Sequence, residues 1–177
     1  MVTVIVADKH QHAAPIRELL WEYLQWGNSR VNQEFGVTVD IAAVLEEDMV
    51  GLDKFMPPHG RLLLVYVDGS LAGTACLKSW TAQVGEIKRV YVRPTSRKQG
   101  VGRAMMNQIV ELSRQIGYER LRLDSAGFMK EAHQLYRTIG FQEIDAYEGN
   151  EVSKEFQKHW IFMEMELPPT QQQTQSD

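Results

Sequence analysis

The sequence predicts an α/β protein built on a mixed, twisted sheet of about seven strands, mostly antiparallel with one parallel pair, flanked by about four helices. Three observations carry this prediction. Val90-Tyr91-Val92, a loop at Gly100-Val101-Gly102, an amphipathic helix and Leu121-Arg122-Leu123 follow one another as strand, loop, helix and strand. That order needs a right-handed crossover and a parallel pair at this point. Asp68-Gly69 stands between two apolar runs, the signal of a tight hairpin, so the strands there are antiparallel. From Ala13 to Trp26 the apolar residues recur at three- and four-residue steps, the period of a helix packed on one face.

The elements follow in order. Val2-Thr3-Val4-Ile5-Val6 is β-branched and reads as the first strand, stopped near Asp8. Ile16, Leu19, Leu20, Tyr23 and Leu24 form the buried stripe of the first helix, while Arg17, Glu18 and Glu22 take its other face. Trp21, Tyr23 and Trp26 read either as core aromatics or as the lining of an acceptor pocket. Asn28-Ser29-Arg30-Val31-Asn32 has turn chemistry, and Asp40 caps a second helix running through Ile41, Val44, Leu45 and Met49. Phe55 to Gly60, with two prolines, breaks the chain before the strand Arg61–Val67. After the hairpin come the strands Leu71–Leu77 and Gly85–Val92, the latter ending before Pro94. Val101, Met105, Ile109, Leu112 and Ile116 mark the buried side of the next helix, which Gly117 terminates. Leu121–Leu123 is the fifth strand, Lys130–Ile139 a helix, Phe141–Ile144 the sixth strand and Trp160–Leu167 the last. The stretch 168–177 has nothing to bury and is expected to be a disordered tail.

The chain of 177 residues, 44% of them apolar, suffices for one core, and residues 1–167 are expected to form a single domain. A net charge of −4 and a pI near 5.8 argue against a nucleic-acid partner. Arg89, Arg93, Arg97, Lys98 and Arg103 do cluster in sequence, but around one loop, which favours attraction of a small polyanion. The apolar run at the N-terminus is too brief to span a membrane and lacks the basic start of a signal peptide. One cysteine, Cys76, excludes an intrachain disulfide and fits a reducing cytoplasm; it sits in an apolar strand as a buried, inert thiol. His10, His12, His59, His133 and His159 have no metal-binding spacing, so no metal is expected. His133 reads as a solvent-facing helix residue.

Arg97-Lys98-Gln99-Gly100-Val101-Gly102 carries the chemistry. Two glycines one residue apart let the backbone approach an anion, and amides at the start of a helix then point at it. No Gly-Lys-Ser/Thr follows, so this is not a nucleoside-triphosphate loop, and the third glycine of a dinucleotide fingerprint is missing. Glu86-Ile87-Lys88-Arg89-Val90-Tyr91-Val92-Arg93-Pro94, the loop, and Leu135-Tyr136-Arg137-Thr138-Ile139-Gly140-Phe141 stand in order along the chain. Together these segments resemble the GNAT superfamily of N-acetyltransferases. The resemblance covers roughly residues 60 to 167; residues 1 to 59 fit it by pattern.

The resemblance implies a splay between the fourth and fifth strands where coenzyme A enters, with acetyl-CoA as co-substrate. It implies that amides of Gln99, Gly100, Val101, Gly102 and Arg103 bind the pyrophosphate, with charge from Arg97 and Lys98. Backbone groups at Tyr91 and Val92 would pair with the pantetheine arm and polarise the thioester carbonyl. Tyr136 matches the tyrosine that protonates the departing thiolate; its other reading is a helix residue packed beneath the coenzyme. Glu86 is the candidate base for the amine, through water, or else an edge carboxylate paired with Lys88 or Arg89. Met129 stands where many relatives carry a coenzyme-contacting asparagine, so that contact would be absent, or replaced by Ser125 or Lys130. The expected activity is transfer of an acetyl group from acetyl-CoA to a primary amine of a small molecule, with a non-catalytic acyl-CoA sensor as the alternative. An open sheet edge could support a homodimer.

Overall fold

Seven strands form one sheet in the order β1-β2-β3-β4-β5-β7-β6. The structure, a computed structural model, describes residues 1–168, so the expected tail lies, except for Pro168, outside the described residues. β1 (Val2–Val6), β2 (Arg61–Val67), β3 (Ser70–Ser79) and β4 (Val84–Val92) form an antiparallel meander. β5 (Arg120–Ala126) is parallel to β4, as the crossover required, and β7 (Trp160–Glu166) runs antiparallel between β5 and β6 (Gln142–Ile144).

Helices cover both faces, which is why the middle of β2, Leu62–Val65, is continuously apolar: alternate residues of a strand point to opposite sides, and here all four are buried. Leu63 and Val65 pack with Met105, Met106 and Ile109 of α3 (Val101–Ile116) on one face. Leu62 and Leu64 pack with Ile16, Leu19 and Leu20 of α1 (Ala13–Phe35), and with Leu45 of α2 (Ile41–Val50), on the other. Cys76 lies in this second core, where burial pushes its thiol up to about 12, outside any nucleophilic range.

The structure departs from the sequence reading in several places. α1 does not stop at Trp26 but runs through the turn-like Asn28–Asn32 to Phe35. Its stop is Gly36, left-handed at φ 68°, whose amide bonds to Asn32 O. Asn28 serves the next loop instead of a turn, its Oδ1 accepting the Val39 amide at 2.9 Å. Asp40 does cap α2, accepting the Ala43 amide at 3.1 Å. β5 extends to Ala126 because β7 pairs with it residue by residue from Arg120↔Glu166 to Ala126↔Trp160. A short α5 (Lys154–Gln157) follows α4 (Lys130–Ile139), making five α-helices among the described residues where about four were expected. Among these residues no helix is long and apolar enough to cross a membrane.

Candidate active site

The parallel ladder between β4 and β5 ends at Ile87↔Leu123, and beyond it the strands diverge. A bulge in β4 opens this splay. Thr74 of β3 faces Tyr91 and Cys76 faces Lys88, so β4 carries an extra residue between these pairs. Arg89, within the bulge, has φ 55°, a conformation that a long L side chain adopts only when held there. Asp48 of α2 holds it, accepting from Arg89 Nε at 2.8 Å and Nη2 at 2.9 Å. Burial opposes the guanidinium charge, but Asp48 together with Tyr23 and Glu151 outweighs it and raises the Arg89 pKa. Sequence reasoning missed Asp48. The signal was present: Val44, Leu45 and Asp48 share one helical face, which makes the aspartate a carboxylate in an apolar stripe.

The loop after β4 forms a cradle. Lys98 at φ 61° and Gly100 at φ 80° curl the backbone into the first turn of α3. Among the described residues no protein acceptor takes the amides of Gln99, Gly100, Val101, Gly102 or Arg103, and no side chain caps the helix. Gly102 lets α3 approach α4 closely, since a Cβ there would lie 3.2 Å from Leu135 Cδ2. The basic cluster divides in two. Arg89 is spent on Asp48, and Arg93 on Glu18 and Glu22 of α1. Arg97, Lys98 and Arg103 have no carboxylate partner among the described residues. Arg97 donates to Val92 O at 3.1 Å and stacks over Trp26, while Arg103 donates to Thr138 Oγ1 at 3.2 Å. Free amides at a helix start beside cations without carboxylate partners are groups whose chemistry suits an anion. Tyr91 packs its ring on Tyr23 and Trp26, leaving its backbone and that of Val92 at the open end of β4.

A cleft of about 440 Å³ adjoins the splay. Its walls come from α1 and α2 (Tyr23, Trp26, Val31, Val44), from Ile87–Val90 and Leu123–Ala126, and from the segment before β7 (Glu151, Phe156, Trp160). Tyr136 of α4 lines it and is 3% exposed, its ring edge-on to Phe141. Burial pushes the Tyr136 hydroxyl upward, and the Tyr23 hydroxyl likewise, so both stay protonated in the ordinary pH range.

A family model for the Acetyltransferase (GNAT) family matches residues 13–141, a stretch containing the cradle, the splay and Tyr136. The chain belongs to the GNAT family of acetyltransferases. An uncharacterised N-acetyltransferase of Schizosaccharomyces pombe is 28% identical over 168 residues, covering 94% of this chain and 95% of that protein. The thialysine N-epsilon-acetyltransferase of Sus scrofa is 30% identical over 71 residues, 40% of this chain and 42% of that one. The PaiA N-acetyltransferase of Thermoplasma acidophilum, solved in complex with coenzyme A, superposes with a TM-score of 0.67 at 15% identity, covering 94% of this chain and 99% of that one. At that identity the likeness is one of fold.

Within this GNAT domain the expected residues are placed unevenly. The cradle residues and Tyr136 flank the splay, whereas Glu86 does not line the cleft. Glu86 is fully buried behind it: Oε1 accepts from Tyr147 Oη at 2.9 Å and lies 3.5 Å from Lys88 Nζ. Lys78 Nζ is 3.1 Å from Oε2 yet off any hydrogen-bonding direction, a charge pair without a formed hydrogen bond. A base reaching the amine through water needs accessible surface, and this carboxylate has none. His133, expected to face solvent, is instead 2% exposed with Nε2 3.0 Å from Ser125 Oγ. Burial lowers its pKa, which favours the neutral ring. Ser125 lines the cleft beside Met129 and approaches its sulfur at 3.4 Å.

Proposed function

We propose that the protein transfers the acetyl group of acetyl-CoA to the primary amine of a small molecule. One observation carries this reading: the unpaired edge of β4 beyond Ile87 lies between the free amides of α3 and the cleft lined by Tyr136. These residues suit a long, anionic thioester at one end and an uncharged reaction at the other.

In this reading the amides of Gln99 to Arg103, with Arg97, Lys98 and Arg103, take the pyrophosphate. The main chain at Tyr91 and Val92 takes the pantetheine arm and polarises the thioester carbonyl. The acceptor enters from the α1–α2 side. An ammonium of pKa near ~10 first loses a proton to water in the cleft. Its nitrogen then bonds to the thioester carbon while the carbon–sulfur bond breaks, the sulfur leaving with the electron pair. Tyr136 gives its hydroxyl proton to that sulfur, and the second nitrogen proton restores the hydroxyl through water. Glu86 acts at one remove, holding Lys78 and Lys88. The cleft, closed on three sides by helices and the segment before β7, fits a small acceptor better than a folded protein. The reducing cytoplasm suits this chemistry and the single buried thiol. Light scattering decides whether two copies pair along the sheet edge.

The test is thiol release from acetyl-CoA against a panel of amino acids, polyamines, aminoglycosides and a lysine peptide. Amine-dependent release is expected. Saturable acetyl-CoA binding with no release for any amine would overturn the transferase reading.

A further inference from the structure

A network of alternating charges lies under the cleft: Lys88, Arg89, Asp124 and Glu151 line it, and Lys78, Glu86 and Asp48 stand behind them. Three cations each have a carboxylate of the sheet-and-helix frame at close range: Lys78 to Glu86 at 3.1 Å, Lys88 to Asp124 at 2.7 Å, and Arg89 to Asp48 at 2.8 Å. The Lys88–Asp124 and Arg89–Asp48 pairs are hydrogen-bonded, whereas Lys78 and Glu86 are in charge contact without a hydrogen bond. A fourth carboxylate, Glu151, arrives from the segment between β6 and β7 and touches all three cations at longer range, 3.3 Å, 3.4 Å and 3.7 Å. Its side chain is 46% accessible, against 18%, 6% and 15% for Lys78, Lys88 and Arg89, so it has a path to solvent.

The sign of the field at Glu151 follows from its own titration. Burial by itself would raise its pKa, yet Lys88, Arg89 and Lys78 hold it at about 2. The three frame carboxylates therefore leave this point positive, and an anion is favoured there. The cleft wall alongside is apolar, with Trp26, Val31, Val37, Phe128, Phe156 and Trp160.

We propose that the acceptor is an amino-acid-type amine: its carboxylate takes the place that Glu151 holds against Lys88 and Arg89, and its aromatic or branched body lies along the apolar wall. Glu151 is an internal stand-in that turns to solvent on binding. A second ammonium, as on a polyamine, would meet Lys88 and Arg89 and be repelled. The inference rests on the acetyltransfer reading above.

The experiment compares matched pairs, phenylalanine with 2-phenylethylamine and leucine with isopentylamine, in wild type and in Glu151→Gln. A charge-assisted contact gives the carboxylated member an advantage of about tenfold or more in kcat/KM. Removing the internal competitor should widen that ratio by about threefold or more, through KM, because the cations then bind the acceptor carboxylate unopposed. A ratio at or below one, or a ratio unmoved by Glu151→Gln, overturns the proposal. If no amine turns over, the transferase reading fails on its own, and calorimetry with N-acetylphenylalanine and N-acetyl-2-phenylethylamine still decides. Tighter carboxylate binding that strengthens in Glu151→Gln upholds the anion site; equal binding of the two refutes it.

Discussion

Replacing Tyr136 by phenylalanine deletes one oxygen from the wall of the cleft. Among the described residues the Tyr136 hydroxyl makes no hydrogen bond, and the ring keeps its edge contact with Phe141 in either residue. No intramolecular bond is lost, so the fold should change in stability by less than about 1 kcal/mol. The cradle lies on other residues, so acetyl-CoA affinity should hold as well. What disappears is the only phenolic proton donor on α4 at the cleft. Loss of a positioned general acid costs about 10²–10⁴ in rate. A hundredfold fall corresponds to about 2.7 kcal/mol of transition-state stabilisation. Because burial raises the Tyr136 pKa, wild type should show no alkaline loss of the donor up to the ordinary tyrosine value of 10.0. Steady-state thiol release gives kcat, and calorimetry gives acetyl-CoA affinity on the same samples. A kcat within about threefold of wild type, with binding intact, would refute the assignment and leave Tyr136 as a packing residue.

Gly100→Ala meets no atom within 4 Å, but φ +80° costs an L residue about 1–2 kcal/mol. The cost shows as a lower melting temperature if the loop keeps its shape, or as weaker acetyl-CoA binding if it relaxes; a variant equal to wild type in both measurements contradicts the cradle. Asp48→Ala strands the buried Arg89 guanidinium and should lower stability by about 3–5 kcal/mol in urea titrations, with a loss below about 1 kcal/mol counting against the bulge clamp. Glu151 has a folded pKa of about 2, depressed from 4.5, so its tether is present above 4.5 and is lost as pH falls toward 2. Hydrogen exchange should therefore show the segment around residues 151–157 opening progressively as pH falls from 4.5 toward 2, and Glu151→Gln should remove that step; an identical pH response in the variant refutes the tether.

The shape of the loop between β4 and α3 was legible in the sequence because it is set by neighbours along the chain. A strand, two glycines one residue apart and a helix start determine where consecutive amides point, and Tyr136 stands a fixed distance along α4 before Gly140. The hairpin at Asp68-Gly69 and the cap at Asp40 are local in the same sense. The end of α1 was not legible. Asn28 to Asn32 favour a turn by local preference, but Phe35 stacks with Phe156, His159 and Trp160, so packing from the far end of the chain accompanies a longer helix.

The charge network under the cleft was equally hidden. Glu86 and Lys88 are neighbours in sequence, but Tyr147 lies 61 residues from Glu86, Asp124 lies 36 from Lys88, and Asp48 lies 41 from Arg89. His133 looked solvent-facing because its own helix does not reveal Ser125 opposite it. The sequence by itself therefore determined the parallel pair at the crossover, the shape of the loop before α3 and the family. Only the tertiary structure decided which charges are buried together and which carboxylate faces the cleft. Backbone conformation depends on residues next to one another, whereas the energy of a buried charge depends on what the fold brings within a few ångströms of it.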